Sequence, residues 1–348
     1  MSFLSLSIDA VERGLVPDVL VRRAIRQLCR QRLDGCQQGS DAANRQVYQT
    51  FLRSMCQGPV APVPEKANEQ HYELPPEFFQ AVLGPHRKYS SCYWSPGAKT
   101  LGAAETAALE ITCERAGLQN GQRILELGCG WGSLSLWMAE IYPDALITAV
   151  SNSAPQRRLI EAEAHLRGIR NLRIVTADMN DFSAVETFDR VVSVEMFEHM
   201  RNYQELLKRI SGWLRPDGKL FVHHFCHREF AYPFETQGDT NWMGRYFFTG
   251  GIMPDENLLR SFDSDLVVTN QWRWDGTHYE KTSNAWLANM DARRTEILRI
   301  LQATYGRRSA ARWFHRWRMF FLAVAELFGY AAGQEWFVTH VLLQKKHT

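Results

Sequence analysis

With 348 residues, of which 45% are hydrophobic and 12% aromatic, the chain has enough apolar side chains for a large buried core, which excludes a disordered protein. Its formal net charge of +2 is too small to favour nucleic acid as a partner. The seven cysteines are scattered without a C-x-x-C pair, so we expect reduced thiols and no structural zinc site or disulfide.

The first stretch, up to about Gln57, is helical in pattern. After Pro17, apolar residues repeat on one helix face and arginines lie opposite, which predicts an N-terminal helical cap. Three prolines between Gly58 and Pro64 favour an extended linker after it. At two arginine clusters we expect solvated helix faces, with contact to an anionic lipid surface as the alternative. These clusters are Arg22, Arg23, Arg26, Arg30 and Arg32, and then Arg307, Arg308, Arg312, Arg316 and Arg318.

Short apolar runs alternate with helical ones from about Gln70 to Leu220. The runs are 123–127, 145–150, 172–175, 190–194 and 219–222. Short buried strands separated by helices predict a parallel, doubly wound α/β sheet. From about His223, aromatic-rich loops mix with two long helical patterns, Asn284 to Ala303 and Ala310 to Leu327, before a closing strand at 336–343. The predicted division is a helical cap and linker (1–64), an α/β core (65–226) and an insertion carrying the substrate pocket (227–348).

A glycine-rich loop follows the first predicted strand, in which Gly128, Gly130 and Gly132 let the backbone turn sharply and approach a ligand. A dinucleotide site prefers G-x-G-x-x-G and an acid about 20 residues later. Here Glu126 instead stands two residues before the first glycine, which is the pattern of S-adenosylmethionine methyltransferases. Asp178, after the third strand, falls where such folds contact adenine, although an Asp there also caps helices.

Glu195, Glu198 and His199 come just past the fourth predicted strand. Because ligands bind at the carboxyl ends of strands in open α/β sheets, these titratable groups indicate proton chemistry. The alternative is a helix-capping box, in which glutamates satisfy the free amides at a helix start.

Taken in order, these motifs resemble those of one family, which contains cyclopropane fatty acid synthases, mycolic acid methyltransferases and coclaurine-type N-methyltransferases. The resemblance covers nearly the whole chain. It is carried by His71-Tyr72, Phe78-Phe79, the segments 88–94, 125–132 and 151–156, Phe197-Glu198-His199, His278-Tyr279, Thr282 and Trp286.

The resemblance implies the class I methyltransferase fold, a Rossmann-like, seven-stranded, mostly parallel sheet with an N-terminal helical cap and a C-terminal helical and aromatic insertion. It also implies S-adenosylmethionine as the cofactor. Its expected contacts are Tyr89, Ser90, Glu126, Gly128, Gly130, Gly132, Asn152, Gln156, Asp178 and Met179.

Two departures indicate the branch of the family. The synthases that this chain resembles have glycine where it has Glu195. Their Tyr-Ser-Cys, whose cysteine helps to hold a bicarbonate base, reads Tyr89-Ser90-Ser91 here, with Cys92 one place late, which puts the bicarbonate site in doubt. Both features are similar to the N-methyltransferase branch. We therefore predict methylation of a small cyclic or aromatic amine, with lipid cyclopropanation and a non-catalytic binding protein as the alternatives.

Methyl transfer to nitrogen requires the unprotonated amine, so a base is needed. Glu198 and His199 are the candidate base, and Glu195 is expected to anchor or orient the ammonium. Aromatic rings can stabilise that cation, with core packing as the alternative for any single ring. His224 is expected to face the pocket, whereas Glu326, an acid on an apolar helix face, either pairs with an arginine or lies in the active site. The predicted substrate-pocket residues are His224, Tyr279, Trp313, Trp317, Phe321 and Tyr330.

The remaining expectations concern metals, partners and location. In the run His223 to His227, alternate residues of a strand face opposite ways, so the possible ligands do not converge and we expect no metal. No apolar run approaches the roughly 20 residues of a membrane-spanning helix, and the amino terminus does not resemble a signal peptide. We therefore expect a cytoplasmic protein without an integral membrane segment, whose partner is a small amine. A homodimer is left open.

Overall fold

The computed structural model describes residues 3–65 and 74–346, so the motif residues His71 and Tyr72 lie outside the described residues. The α-helices of this part are α1 (Phe3–Glu12), α2 (Asp18–Cys36), α3 (Asp41–Ser54), α4 (Pro76–Val82), α5 (Leu101–Ala116), α6 (Ser133–Ile141), α7 (Ala154–Leu166), α8 (Tyr203–Trp213), α9 (Trp242–Tyr246), α10 (Thr277–Ala292), α11 (Arg294–Tyr305) and α12 (Arg307–Gly329).

The strands build one large sheet and one small ribbon. They are β1 (Arg123–Leu127), β2 (Leu146–Ser151), β3 (Leu172–Thr176), β4 (Phe188–Val194), β5 (Leu214–His227), β6 (Tyr232–Pro233), β7 (Ile252–Met253), β8 (Leu266–Trp274) and β9 (Trp336–Lys345). The sheet has the order β3-β2-β1-β4-β5-β9-β8, and β6 pairs with β7. Strands β1 to β5 pair in parallel, whereas β9 runs antiparallel to both neighbours. The predicted seven-stranded, mostly parallel sheet is confirmed.

Local sequence explains where the helices around this sheet begin. The hydroxyl of Thr100 accepts the N–H of Ala103 at the start of α5, and the Asn202 side chain accepts the N–H of Glu205 at the start of α8. Each bond satisfies one of the free amides of a helix's first turn. These helices pack on the sheet through apolar faces, so the sheet is covered and its carboxyl edge stays open to a ligand.

The predicted helices of the C-terminal stretch need correction. The pattern predicted one helix from Asn284 to Ala303, but α10 begins at Thr277 and the chain leaves helical geometry at Arg293 before α11. The start is set by Asp275, which accepts the N–H of Thr277 at 2.9 Å. The second predicted helix, α12, begins three residues earlier than expected, directly after the glycine that ends α11. Strand β8 was not predicted.

The arginine clusters form solvated helix faces only in part, because Arg23, Arg30, Arg307 and Arg308 are exposed, whereas others pair with acids. In the first cluster, Arg22 and Arg26 both pair with Glu326 of α12. In the second, Arg318 lies 2.8 Å from Asp18 of α2 and 2.7 Å from Asp291 of α10. The pairs between α2 and α12 join residues about 300 positions apart, so they fasten the N-terminal helices to α12. They also answer the question about Glu326, which is paired with arginines.

Two of the four apolar clusters in the described residues are much the largest. One gathers large aromatic side chains from α4, α10 and α12 and lies under the N-terminal helices. The other lies between the sheet and α8. Within the described ranges 3–65 and 74–346, no helix is both long enough and apolar enough to cross a membrane.

Candidate active site

A large cavity opens where β1, β2, β3 and β4 end, at the edge of an open α/β sheet where ligands bind. Among the predicted catalytic residues, Glu195 and His199 line this cavity, whereas Glu198 is buried outside the lining. Gly132 also lies outside the lining. The predicted cofactor contacts that line the cavity are Tyr89, Ser90, Glu126, Gly128, Gly130, Asn152, Gln156, Asp178 and Met179.

The glycine loop after β1 shapes one wall of the cavity. Gly128, Gly130 and Gly132 have φ values of 79°, 52° and 82°, which side chains rarely adopt. A Cβ atom at Gly132 would lie 2.6 Å from Cγ1 of Ile160, and one at Gly128 would lie 2.6 Å from Cγ of Met196. A Cβ atom at Gly130 would meet nothing within 4 Å. The backbone at Gly128 and Gly132 therefore packs tightly against neighbouring side chains, whereas Gly130 leaves space for a ligand against the backbone.

Polar groups that lack protein partners also line the cavity. Among the described residues, the hydroxyls of Thr112 and Ser133 and the amide nitrogen of Gln156 are buried without a hydrogen-bond partner. Glu126 accepts a hydrogen bond from the Ser135 hydroxyl, and burial raises its pKa to about 7. Buried polar groups are normally satisfied, so this set suits a polar ligand that carries a cationic group.

Glu195 stands at the end of β4 in an unusual backbone conformation, with φ of 47°. Its Oε1 atom accepts the N–H of Ser91 at 2.9 Å, and its Oε2 atom accepts the hydroxyl of Tyr279 at 2.8 Å. Nε2 of His223 lies 3.2 Å from Oε1. Burial raises the pKa of Glu195, and the Lys88 ammonium is the largest opposing influence. Three contacts thus fix this carboxylate in one orientation.

Glu198 and His199 belong to a 3₁₀ turn formed by residues 197–199. Oε1 of Glu198 accepts the N–H of Phe225 at 2.8 Å, whereas its buried Oε2 has no partner in the described part of the chain. Burial and then the charge of Glu195 raise the pKa of Glu198 well above its usual range. Burial lowers the pKa of His199 to about 4, so its imidazole is neutral at pH 7. A neutral imidazole at the cavity can accept a proton.

The motif segment 88–94 is anchored on α10. The hydroxyl of Thr282 accepts the N–H of Cys92 at 3.1 Å and the indole N–H of Trp94 at 3.0 Å. Nδ1 of His278 accepts the backbone N–H of Trp94 at 2.9 Å. Because Tyr279 lies between these two anchors, they also direct its hydroxyl to Glu195 in the segment 195–199, which we call the acidic loop. Burial raises the pKa of Cys92 to about 12, so its thiol stays protonated.

Three of the predicted pocket residues belong to one cluster of rings. Trp286 connects them to the cavity, since its ring lies 5.6 Å from that of Tyr89, 6.1 Å from Tyr279 and 5.8 Å from Phe321, between centroids. Trp317 lies 5.8 Å from Phe321. These rings form a continuous apolar wall that begins at the cavity edge and extends under α12.

The other three are placed differently. Trp313 is half-buried and stacks on Tyr305, with 4.3 Å between centroids. Tyr330 packs edge-on against Trp336 at 5.7 Å. His224 is buried, and its Nε2 atom has no partner among residues 3–65 and 74–346. None of the six predicted pocket residues belongs to the described lining of the cavity, so their role in binding stays a prediction.

Several residues of the site were not assigned from the sequence. Strand alternation separates His223 from His224 but does not say which of them faces the acids, and it is His223 that contacts Glu195. His340, on β9, lies 2.8 Å from His223 through its Nε2 atom. Lys88, which lines the cavity, was recognised only as part of a motif. A histidine in the otherwise apolar closing strand was the available signal for His340.

The histidine run of β5 does not gather into a metal site. His227, at its end, accepts the N–H of Phe230 on Nδ1 at 2.8 Å. Within residues 3–65 and 74–346, no group of three or more His, Cys, Asp or Glu side chains is placed to hold a metal ion.

Comparison with known proteins gives a consistent set of relatives. The family model for mycolic acid cyclopropane synthetase matches residues 63–330. An (S)-coclaurine N-methyltransferase of Thalictrum flavum subsp. glaucum is 37% identical over 342 residues, which cover 97% of this chain and 94% of that protein. The cyclopropane-fatty-acyl-phospholipid synthase of Escherichia coli strain K12 is 31% identical over 234 residues, which cover 66% of this chain and 57% of the synthase.

A solved structure extends this similarity to three dimensions. The crystal structure of coclaurine N-methyltransferase bound to N-methylheliamine and SAH matches with a TM-score of 0.95 and 35% sequence identity. The match covers 99% of this chain and 100% of that chain, so it includes the N-terminal helices and the C-terminal insertion as well as the sheet.

Proposed function

The chain belongs to the mycolic acid cyclopropane synthetase family, and we propose that it transfers a methyl group from S-adenosylmethionine to the nitrogen of a small cyclic or aromatic amine. The family and the N-methyltransferase branch predicted from the motifs are confirmed. The fold is that of class I methyltransferases, which is also confirmed.

The observation that carries this proposal is the buried acidic pair after β4. Glu198 is fully buried and Glu195 almost so, and Oε2 of Glu198 has no protein partner within the described residues. Glu195 faces the cavity and the acid of Glu198 lies buried outside the lining, so this side of the site favours a ligand that is a hydrogen-bond donor and a cation. A protonated amine has both properties, whereas a lipid alkene has neither.

The contacts of Glu195 also argue against the lipid alternative. By the resemblance, the synthases hold a bicarbonate base beside the segment that here contains Ser91. In this chain the Ser91 N–H and the Tyr279 hydroxyl donate to the carboxylate of Glu195. Donors that could bind a small anion are therefore satisfied by the chain itself.

The cavity provides for the cofactor. The glycine loop, Glu126, Asn152, Gln156 and Asp178 would hold S-adenosylmethionine, and the space at Gly130 fits a ligand against the backbone. When bound, this cofactor supplies an electrophilic methyl group on a sulfonium. The unpaired polar atoms of the cavity wall and the raised pKa of Glu126 suit its polar and cationic parts.

The acidic loop prepares the amine. For an amine with a pKa of about 10, the neutral form at pH 7 lies roughly 4 kcal/mol uphill. Glu195 attracts and orients the ammonium, and Glu198, whose pKa is raised by burial, and His199, which is neutral above about pH 4, take up its proton. The freed lone pair would then attack the methyl group. The main contribution of the surrounding rings would be to hold the lone pair in line with that group.

Incubation with methyl-labelled S-adenosylmethionine tests the proposal. One panel contains cyclic and aromatic secondary amines, and the other contains vesicles of unsaturated phospholipid. We expect label in amines only. Label in lipid alone would establish the alternative, and saturable cofactor binding without label in either panel would favour a binding protein. The His199→Gln variant serves as the control for transfer that does not depend on the enzyme's base.

A further inference from the structure

A chain of hydrogen bonds runs from α5 through the sheet to the acidic loop. Nη1 of Arg115 lies 3.2 Å from Nδ1 of His340, Nε2 of His340 lies 2.8 Å from Nδ1 of His223, and Nε2 of His223 lies 3.2 Å from Oε1 of Glu195. Of these four residues, Glu195 alone belongs to the described lining of the cavity. The two residues farthest from it, Arg115 and His340, have no part in the chemistry described above.

Sheet register builds the middle of this chain. His223 of β5 and His340 of β9 are directly opposite in the antiparallel pair, so their side chains lie on the same face. A shift of one residue would move one ring to the other face and break the contact. The rings are closed off from water by Trp274, whose centroid lies 4.3 Å from that of His340 and 5.3 Å from that of His223.

Burial decides the protonation of both rings. Neither histidine has exposed surface, and burial lowers the pKa of His223 and of His340 well below the usual range. Each imidazole is therefore neutral at pH 7 and carries one N–H, with the other nitrogen as an acceptor.

Arg115 then decides which nitrogen carries each proton. A guanidinium only donates, so Nδ1 of His340 must accept and its proton sits on Nε2. That N–H donates to Nδ1 of His223, which leaves the proton of His223 on Nε2, directed at Glu195. The opposite arrangement would set the N–H of His340 against the N–H of Arg115 and aim a lone pair of His223 at the Glu195 carboxylate. Arg115 itself is half-buried and held over Trp272, 5.2 Å from the ring centroid.

We propose that Arg115 and His340 are positioning residues for the methyl transfer, because they select the tautomer of His223 that donates to Glu195. Since a guanidinium keeps its protons, the chain cannot carry a proton out of the site, and its effect is one of orientation. This proposal rests on the proposed amine methylation for its kinetic consequence, although the tautomer itself is a property of the free protein.

The test uses four variants of the full chain. Arg115→Met removes the guanidinium that selects the tautomer, and His340→Leu removes the imidazole that connects Arg115 to His223. Arg115→Lys keeps a donor, and His340→Gln keeps a carboxamide that accepts from Arg115 and donates to His223. For the two disrupting variants we expect kcat/KM for the amine to fall roughly 10- to 100-fold, the range for one hydrogen bond to a charged group. The conservative variants should recover most of this, and the cofactor dissociation constant should change less than about twofold.

The decisive readout is the tautomer, measured by NMR on protein labelled with ¹⁵N histidine and without substrate. The His223 signal, assigned by its loss in His223→Gln, should show the Nε2–H form in the wild type and a mixture in Arg115→Met. If His340→Leu does not fold, Arg115→Met still decides, because its side chain is half-buried. An unchanged tautomer in Arg115→Met would overturn the proposal, even if no amine were methylated.

Discussion

The two walls of the site are assembled in different ways. On the predicted cofactor side, Glu126 lies near the end of β1 and Asn152 and Asp178 follow β2 and β3, so each predicted contact comes from a short stretch at the end of a strand. On the acceptor side, Glu195 is held by residues that are 104, 28 and 84 positions away along the chain. Local turns therefore form the wall on the cofactor side, which we call the cofactor wall. Contacts between distant parts of the chain form the wall on the acceptor side, which we call the acceptor wall.

The backbone of Glu195 shows one consequence of this difference. A non-glycine residue in the left-handed region costs about 1–3 kcal/mol and persists only where the surroundings enforce it. Glu195 has φ of 47°, and its side chain accepts from Ser91, Tyr279 and His223. The lipid-modifying enzymes that the chain resembles have glycine at this position, where no such strain arises. Here the strained backbone places a carboxylate at the cavity wall.

The largest expected effect is on the acceptor wall alone. Changing Glu198→Gln or His199→Gln removes groups that take up the amine's proton, so kcat should fall about 10²- to 10⁴-fold. The dissociation constant of S-adenosylmethionine, measured by calorimetry, should stay within about twofold, because the two walls are built independently.

Glu205→Gln provides the control for this pair, since Glu205 is an exposed acid on the next helix. It should leave kcat unchanged. A large loss of cofactor affinity in the Glu198 or His199 variants would show that the walls are coupled, and unchanged rates in both would place the base elsewhere.

The reverse experiment breaks the cofactor wall. In Gly132→Ala, the new Cβ would lie 2.6 Å from Ile160, so packing as well as φ opposes it. We expect the cofactor to bind at least about tenfold more weakly and the free energy of unfolding to drop by about 1–3 kcal/mol. Gly121→Ala is matched to it, because Gly121 has φ of 80° with nothing near its Cβ. A similar loss of cofactor affinity in both would mean that strain, and not packing at the loop, is responsible.

A smaller effect is expected from the proton on Glu126. Its pKa in the folded protein is about 7 against 4.5 for an unperturbed glutamate, so its contribution to stability is full below pH 4.5 and is lost as the pH rises through 7. Over this window the loss is at most about 3 kcal/mol. A cationic ligand beside Glu126 should favour the ionised form, and cofactor binding at about pH 6 should release a proton.

Calorimetry in two buffers with different ionisation enthalpies measures that release. The wild type should release up to one proton at about pH 6, and Glu126→Gln should release less. Melting temperatures without cofactor should fall less between about pH 5 and pH 8 in the variant than in the wild type. Equal proton release by both proteins would mean that another group on the cofactor wall titrates.

The same contrast limits what the sequence could reveal. Periodicity predicted the five parallel strands because it is a local signal, and the family resemblance predicted nine residues that the structure places in the cavity lining. The contact of His340 with His223 follows from antiparallel register across 117 residues, and no local pattern encodes it. The break between α10 and α11 at Arg293 was missed for a similar reason, since its sequence contains no proline or glycine to mark it.

The smallest expected effect concerns the helices that cover both walls. Arg22 lies 2.8 Å from Glu326, which is almost fully buried and also pairs with Arg26. Arg22→Met should lower the free energy of unfolding by about 1–2 kcal/mol, because it leaves a buried carboxylate with one partner fewer, although Arg22 is partly exposed. Arg23→Met, at an exposed position one residue away, should change it by less than about 0.5 kcal/mol. Denaturant unfolding measures both. If Glu326 served the chemistry, Arg22→Met would instead reduce kcat at unchanged stability, and the N-terminal helices would count as part of the acceptor wall.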